Sequence, residues 1–182
     1  MISEEAKNSV FIATSLDGYI ADKNGRIEWL ETIPEINTID TGYVAFSSDI
    51  DALVMGRISF DTVCGFDIDW PYKKPVFVLS NTLSEIPEKF RDNAQLLKGD
   101  IAKILSTIHA QGYYRLYIDG GKLIQSFLKE DLIDEMIITT IPVLLGAGTP
   151  LFGDLEKQLY FECKESKLFL GAIAQNHFVR KR

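Results

Sequence analysis

Apolar positions along the chain fall into short runs separated by glycine-rich or Asp/Asn-rich turns. Ser9 to Thr14, with Val10, Phe11 and Ile12 in succession, predicts a buried strand. Ser15 to Leu30 follows as a loop, with Asp17-Gly18 and Asn24-Gly25 as turn signals. Pro34 to Ser48 is weakly helical, with Ile36, Ile39, Tyr43, Val44 and Phe46 on its inner face. Ala52 to Met55 is a buried strand stopped by Gly56, and Arg57 to Val63 a helix. Pro75 to Leu79 is the next buried strand, and Leu96-Leu97 a minor one. Asp100 stands where an N-cap is wanted for a helix in which Ile101, Ile104, Leu105 and Ile108 recur at helical spacing. The run Leu116 to Ile118 meets Asp119, Gly120 and Gly121, and a helix over Leu123 to Lys129 starts at once. Met136 to Leu145 predicts a long apolar strand whose Pro142 implies an edge or a bulge. Leu159 to Phe169 and Ala172 to Arg180 read as a terminal antiparallel hairpin joined near Gly171, although Gly171-Ala172 is a poor type I′ turn. Strand–helix alternation followed by antiparallel strands predicts one α/β domain over residues 1–182, mostly parallel, with antiparallel strands at one edge.

Ligands of such sheets bind at the carboxyl ends of the strands. Four segments leave those ends: Ser15–Asp22, Gly56–Ser59, Ser80–Thr82 and Asp119–Lys122. A Gly-Gly turn opening a helix presents unpaired N–H groups and a partial positive charge, which suits a phosphate. Arg57 adds a guanidinium fork that matches phosphate bidentately, and Ser59, Ser80 and Thr82 add hydroxyls. Each feature alone also fits an ordinary helix start with a solvated arginine. Together they point to a ligand with two separated phosphate groups, as in NADPH, with its diphosphate at Gly120-Gly121 and its 2′-phosphate at Arg57. Gly121 is expected at the sharpest part of the turn, beneath the diphosphate. Ala13, Ile20 and Trp29 would form the apolar side, Trp29 either as part of a lid or as packing for its own loop.

Composition narrows the class. Of the 182 residues 46% are hydrophobic and 25% charged, which are globular values. A net charge of −7 argues against nucleic acid, which needs a basic surface, but leaves room for a local basic pocket. Glu4, Glu5 and Lys7 precede the first apolar run, unlike a signal peptide. No apolar stretch approaches the ~20 residues of a membrane span, so a cytoplasmic protein is expected. Cys64 and Cys163 lie far apart outside any CxxC pattern and are expected to be buried thiols. The two histidines, His109 and His177, form no zinc pattern: His109 is placed to complement a helix C-terminus, and His177 is structural.

The segments Ser15-Leu16-Asp17-Gly18-Tyr19-Ile20-Ala21, Met55-Gly56-Arg57-Ile58-Ser59-Phe60, Val78-Leu79-Ser80, Asp119-Gly120-Gly121 and Ile141-Pro142-Val143-Leu144-Leu145-Gly146-Ala147-Gly148 come in a telling order. In that order they resemble the dihydrofolate reductase superfamily, and within it the reductase domain of the bifunctional deaminase–reductases of riboflavin biosynthesis. The resemblance covers nearly the whole chain. It implies a dihydrofolate reductase-like fold and an NADPH-dependent oxidoreductase, similar to the 5-amino-6-(5-phosphoribosylamino)uracil reductase. It implies cofactor contacts at Ala13, Ile20, Ala21, Gly56, Arg57, Ser59, Ser80, Gly120, Gly121, Lys122, Leu123 and Ile124. It also implies a pyrimidine- or pterin-like substrate near Trp29, a homodimer, and a substrate-facing carboxylate before the Gly-Gly. That carboxylate is a glutamate in the riboflavin reductases and Asp119 here. Asp119 is therefore the expected catalytic and substrate-binding residue; Asp17 is a second substrate-binding candidate, or simply a turn former. The His/Cys/Cys zinc cluster of the deaminase half has no counterpart. A non-catalytic nucleotide-binding or structural homodimer is the competing reading.

Overall fold

The computed structural model describes residues 6–182, so Glu4 and Glu5 of the N-terminal reading lie outside the described residues. In chain order the elements are β1 (Lys7–Ser15), β2 (Tyr19–Asp22), α1 (Tyr43–Asp49), β3 (Ala52–Gly56), α2 (Arg57–Cys64), β4 (Val76–Leu79), β5 (Ala94–Leu97), α3 (Ile101–Ala110), β6 (Arg115–Asp119), α4 (Gly121–Lys129), β7 (Glu135–Ile141), β8 (Gly148–Pro150), β9 (Phe161–Phe169) and β10 (Ile173–Arg180). Eight strands form one sheet in the order β5-β4-β3-β6-β1-β7-β10-β9, and β2 pairs with β8 as a separate ribbon. The first six run parallel, and β10 and β9 close one side antiparallel.

Side-chain alternation explains why both faces must be covered. Ala52 and Val54 of β3 join the cluster holding Ile108, Ile118 and Phe127, whereas Leu53 and Met55 join the one around Phe60 and Val78. Phe127 and Ile118 are fully buried, each a contribution of roughly 1.5–3 kcal/mol. On β6, Ile118 thus points to one face, while Tyr117 packs against the other. Asp119, two residues beyond Tyr117, falls on the Tyr117 side, the side covered by α2.

The structure departs from the sequence reading in several places. The loop over 15–30 contains β2, and β8 pairs with it; a Cβ on Gly148 would collide with the Ala21 carbonyl oxygen, so only glycine permits this approach. The helix over 34–48 is broken: a 3-10 turn spans Pro34–Thr38, Gly42 takes φ 95°, and only then does α1 begin. Val44 is 70% exposed and so is not on an inner face, whereas Phe46 is buried. The long strand ends at Ile141, because Pro142 sits at the centre of a tight turn closed by Val143 N–H to Ile141 O at 2.8 Å. The terminal hairpin turns at Leu170-Gly171, both at positive φ (52° and 66°), with Ala172 N–H donating to Phe169 O at 3.0 Å; this is a type I′ pattern one residue earlier than read. Asp100 is at the N-cap of α3 but makes no side-chain cap bond, and pairs instead with Lys103 at 3.4 Å. Both cysteines are free thiols, but Cys163 is exposed on β9 and only Cys64 is partly buried. His177 is structural: with Lys7 and Ser9 it surrounds the buried Glu135 carboxylate, at 3.0, 2.8 and 2.7 Å respectively.

Candidate active site

The carboxyl ends of β1, β3, β4 and β6 open onto a cleft of about 680 Å³, within the range of small-molecule and cofactor sites. Two helices start at its floor. Gly56, in extended conformation, precedes α2, and Gly120 (φ 101°, ψ 131°) precedes α4; neither helix has a side-chain cap bond. The left-handed φ belongs to Gly120, not to Gly121, which is already helical. A Cβ built on Gly120 would stand 2.6 Å from Ser59 Oγ and 3.7 Å from the Gly56 nitrogen, so the first turns of both helices abut. Their uncapped N–H groups and dipoles converge on one patch, which suits a diphosphate. Gly121 has a different reason to be glycine. Its Cβ would meet Ile20 Cδ1 at 2.8 Å and the Pro150 carbonyl oxygen at 3.3 Å, so it lets the β2–β8 ribbon lie close against α4.

Cations stand at the outer side of this patch. Arg57 lines the cleft, its guanidinium held by Asp61 (Nε to Oδ2, 3.2 Å) and by Thr82 Oγ1 (Nη1, 3.1 Å). Ser80 lies just behind, its hydroxyl accepting from the Thr82 and Leu83 N–H groups at 3.2 and 3.0 Å. Ser80 is therefore a turn-former that positions Thr82, and Thr82 is the residue on the cleft wall. Lys122, exposed in the first turn of α4, is the other cation of the lining.

Asp119 lines the same cleft beside Tyr72. Burial pushes its carboxyl pKa up, opposed by the Gly120 N–H and the Ser59 hydroxyl, which favour the charged form. The proximity is mutual: burial first, and then the Asp119 charge, raise the phenols of Tyr72, Tyr43 and Tyr117. Tyr117 also donates to Phe11 O at 2.8 Å, and rings of Phe46 and Tyr117 meet edge to face at 5.1 Å. Asp119 is thus a carboxyl with a raised pKa at the edge of an aromatic cluster, able to exchange a proton or to hydrogen-bond a polar heterocycle.

The remaining walls are apolar. Ala13 of β1, Ile20 and Ala21 of β2, Thr149 of β8, and Ile27, Leu30, Val63 and Phe66 all line the cleft. Of the expected cofactor positions, Ala13, Ile20, Ala21, Gly56, Arg57, Ser59, Gly120, Gly121, Lys122 and Leu123 come together here. Ser80 and the fully buried Ile124 do not reach the cleft. Neither does Trp29, which sits in the 3-10 turn Glu28–Thr32 with its indole N–H buried and without a hydrogen-bond partner; its neighbours Ile27 and Leu30 take the wall instead. Asp17 is elsewhere and otherwise engaged. Its carboxylate accepts from Ser15 Oγ at 2.6 Å, Leu145 N–H at 3.1 Å and Gly146 N–H at 2.7 Å, and the serine bond is the main reason its pKa is lowered. Asp17 staples the loop after β7. Tyr72, Val63 and Phe66 were missed, since nothing in their spacing aims them; the cluster Trp70-Pro71-Tyr72 was the available signal.

This sheet, with its paired helix starts, has dihydrofolate reductase-like architecture: the chain superposes on the NADP(H)-complexed dihydrofolate reductase of Enterococcus faecalis with a TM-score of 0.66 at 14% identity, covering 97% of each chain. More specifically, residues 7–173 match the RibD C-terminal domain, and the chain belongs to that family. The "Uncharacterized protein YwjB" of Bacillus subtilis is 34% identical over 179 residues, covering 97% of this chain and 99% of its own. The crystal structure of a "Putative riboflavin biosynthesis protein" from Shewanella sp. PV-4 is 55% identical, with a TM-score of 0.93 over 97% of this chain and 99% of that one. The deaminase/5-amino-6-(5-phosphoribosylamino)uracil reductase of Thermotoga maritima matches at 16% identity and TM-score 0.74, with 57% of that longer chain covered. Among the described residues no cluster of three or more His, Cys, Asp or Glu could hold a metal, and no helix is long and apolar enough to cross a membrane. Family and fold together support a reductase-like function.

Proposed function

We propose that the chain is an NADPH-dependent reductase acting on a C=N or C=O bond of a small nitrogen heterocycle. The observation that carries this is the meeting, in one cleft, of two uncapped helix N-termini, the Arg57 fork and the Asp119 carboxyl. The residues present fit the cofactor: the α2 and α4 first turns take the diphosphate, while Arg57 and Thr82 take the 2′-phosphate. When bound, the reduced nicotinamide supplies a hydride. The β2–β8 ribbon covers one side of the cleft and keeps water from it. Asp119 supplies the proton that completes the reduction, and the burial that raises its pKa keeps that proton available nearer neutral pH. A cytoplasmic setting and a homodimer belong to the same proposal, supported by the two free thiols and by the resemblance to the riboflavin reductases.

The test is loss of reduced-nicotinamide absorbance with pterin, pyrimidine and quinazoline substrates. Turnover should fall at least 100-fold in Asp119→Asn with NADPH affinity retained. In the wild type, kcat/KM should decline as pH rises through the elevated Asp119 pKa. Tight NADPH binding without turnover on any candidate would favour the non-catalytic nucleotide-binding reading.

A further inference from the structure

We propose that Tyr72 is a substrate-binding residue of this cleft, its hydroxyl donating to the ring carbonyl of a heterocycle that carries a lactam group. The proposal rests on the reductase reading above and adds to it a residue and the functional group that residue recognises.

Most hydroxyls of the cleft lining are already engaged. Ser59 serves the Asp119 carboxyl, Thr62 donates to Ile58 O at 2.8 Å, Thr82 meets Arg57, and Ser126 donates to Lys122 O at 2.9 Å. Thr149 stands against Gly121, at the start of α4 and so at the phosphate end. Tyr72 is left. It lines the cleft with Asp119, and among the described residues its hydroxyl has no hydrogen-bond partner. Two other phenols feel the Asp119 charge, and both differ. Tyr117 donates to Phe11 O at 2.8 Å; Tyr43 has the Ser47 hydroxyl beside it and does not line the cleft.

Tyr72 also lines a separate groove of about 430 Å³ at the opposite ends of β4 and β5, where Lys73, Lys74, Asn93 and Gln95 lie. Its phenol nevertheless belongs to the cleft side: burial first and then the Asp119 charge raise its pKa, and Asp119 lines the cleft and not the groove. A phenol so raised keeps its proton across neutral pH and acts as a donor. The ring is also braced. It meets Trp70 edge to face at 5.5 Å, and Trp70 meets the buried Phe60 at 6.3 Å. A hydroxyl held in this way donates without the entropy cost of ordering a free side chain. A lactam matches the pair, its C=O accepting from Tyr72 and its N–H donating to Asp119.

The experiment is calorimetric titration of NADP⁺-saturated protein, in which no hydride can transfer, with two matched pairs. One is quinazolin-4-one with quinazoline, the other 6-methylpterin with 2,4-diamino-6-methylpteridine; the first member of each carries the lactam. Tyr72→Phe keeps the ring and its Trp70 contact. In this variant the lactam member of at least one pair should bind roughly fivefold or more weakly than to wild type, and its partner should change by less than about threefold. NADP⁺ affinity should stay at its wild-type value, and Tyr43→Phe should leave the binding of all four compounds unchanged. A smaller loss, an equal loss in both members of each pair, or the same loss in Tyr43→Phe would overturn the proposal. So would a parallel fall in NADP⁺ affinity in Tyr72→Phe, the mark of a structural role. Millimolar-weak binding of all four compounds to wild-type protein that still binds NADP⁺ would overturn it as well. If NADP⁺ itself fails to bind the wild type, the underlying reductase reading falls, and the inference with it.

Discussion

Arg57→Ala is the perturbation that separates a phosphate-binding arginine from a decorative one. In the free protein the Arg57 side chain is 47% exposed and its guanidinium is tethered to Asp61 and Thr82, an arrangement that contributes little to folding. An ion pair between two half-exposed side chains is worth ~0–1 kcal/mol, so the melting temperature should fall by no more than about 3 °C. A charge-assisted bond to a 2′-phosphate is worth ~1.5–3 kcal/mol, and at 1.4 kcal/mol per decade its loss should raise the NADPH dissociation constant by roughly 10- to 150-fold. NADH lacks that phosphate, and its affinity should change by less than about threefold. Arg57→Lys should be intermediate, since an ammonium keeps the charge but not the fork. Fluorescence titration of both cofactors at one fixed ionic strength measures the difference. Equal losses for NADPH and NADH, or no loss for either, would refute the assignment of Arg57 to the 2′-phosphate.

Three other outcomes follow from the packing. Gly121→Val should lower stability as well as cofactor binding, because its side chain would strike Ile20 and the Pro150 carbonyl and displace the β2–β8 ribbon; thermal melts and NADPH titration of the variant, both at wild-type values, would contradict this. Glu135→Gln should cost about 1–3 kcal/mol at pH 7, read as chemical denaturation midpoints. Burial opposes its charge, but Lys7, Ser9 and His177 outweigh that and hold its pKa below the ordinary 4.5. Its contribution is therefore present above that value and should fade as pH falls through the folded pKa, so a wild-type–variant gap that persists at low pH would be evidence against it. A homodimer is expected by light scattering at micromolar concentration, and a monomeric mass would count against that part of the proposal.

Much of the architecture was legible because parallel strands buried on both faces leave continuous apolar runs, as at Ala52–Met55 and Val76–Leu79, and because glycines mark where those runs turn into helices. Gly56-Arg57 and Gly120-Gly121 could be assigned to one rim because each leaves the carboxyl end of a predicted parallel strand. The ribbon of β2 and β8 was not legible: four and three residues, none of them buried, carry no periodic signal, and their pairing depends on Gly148 meeting Ala21 across the fold. The same limit hid part of the cleft wall. Tyr72 and Phe66 lie in an irregular connection, and only the folded chain shows that they share a cleft with Asp119. For Trp29 the sequence left a lid and packing within its own loop open; its indole N–H is buried and Trp29 is not in the cleft lining, while Ile27 and Leu30 on either side of it are. Asp17 was read as a turn former or a substrate contact, and its three hydrogen bonds fit the first: they tie the loop after β7 to the turn after β1.

The central claim is that the diphosphate of NADPH lies over the abutting helix starts of α2 and α4. Titrating isotopically labelled protein with NADPH and following backbone amide resonances tests it most directly. The account predicts the largest shifts at Gly56, Arg57, Gly120, Gly121 and Lys122, with smaller ones along Ile20 and Ala21. Unmoved amides at those positions, with shifts gathered instead around Lys73–Phe77 and Asn93–Gln95 of the opposite groove, would contradict it.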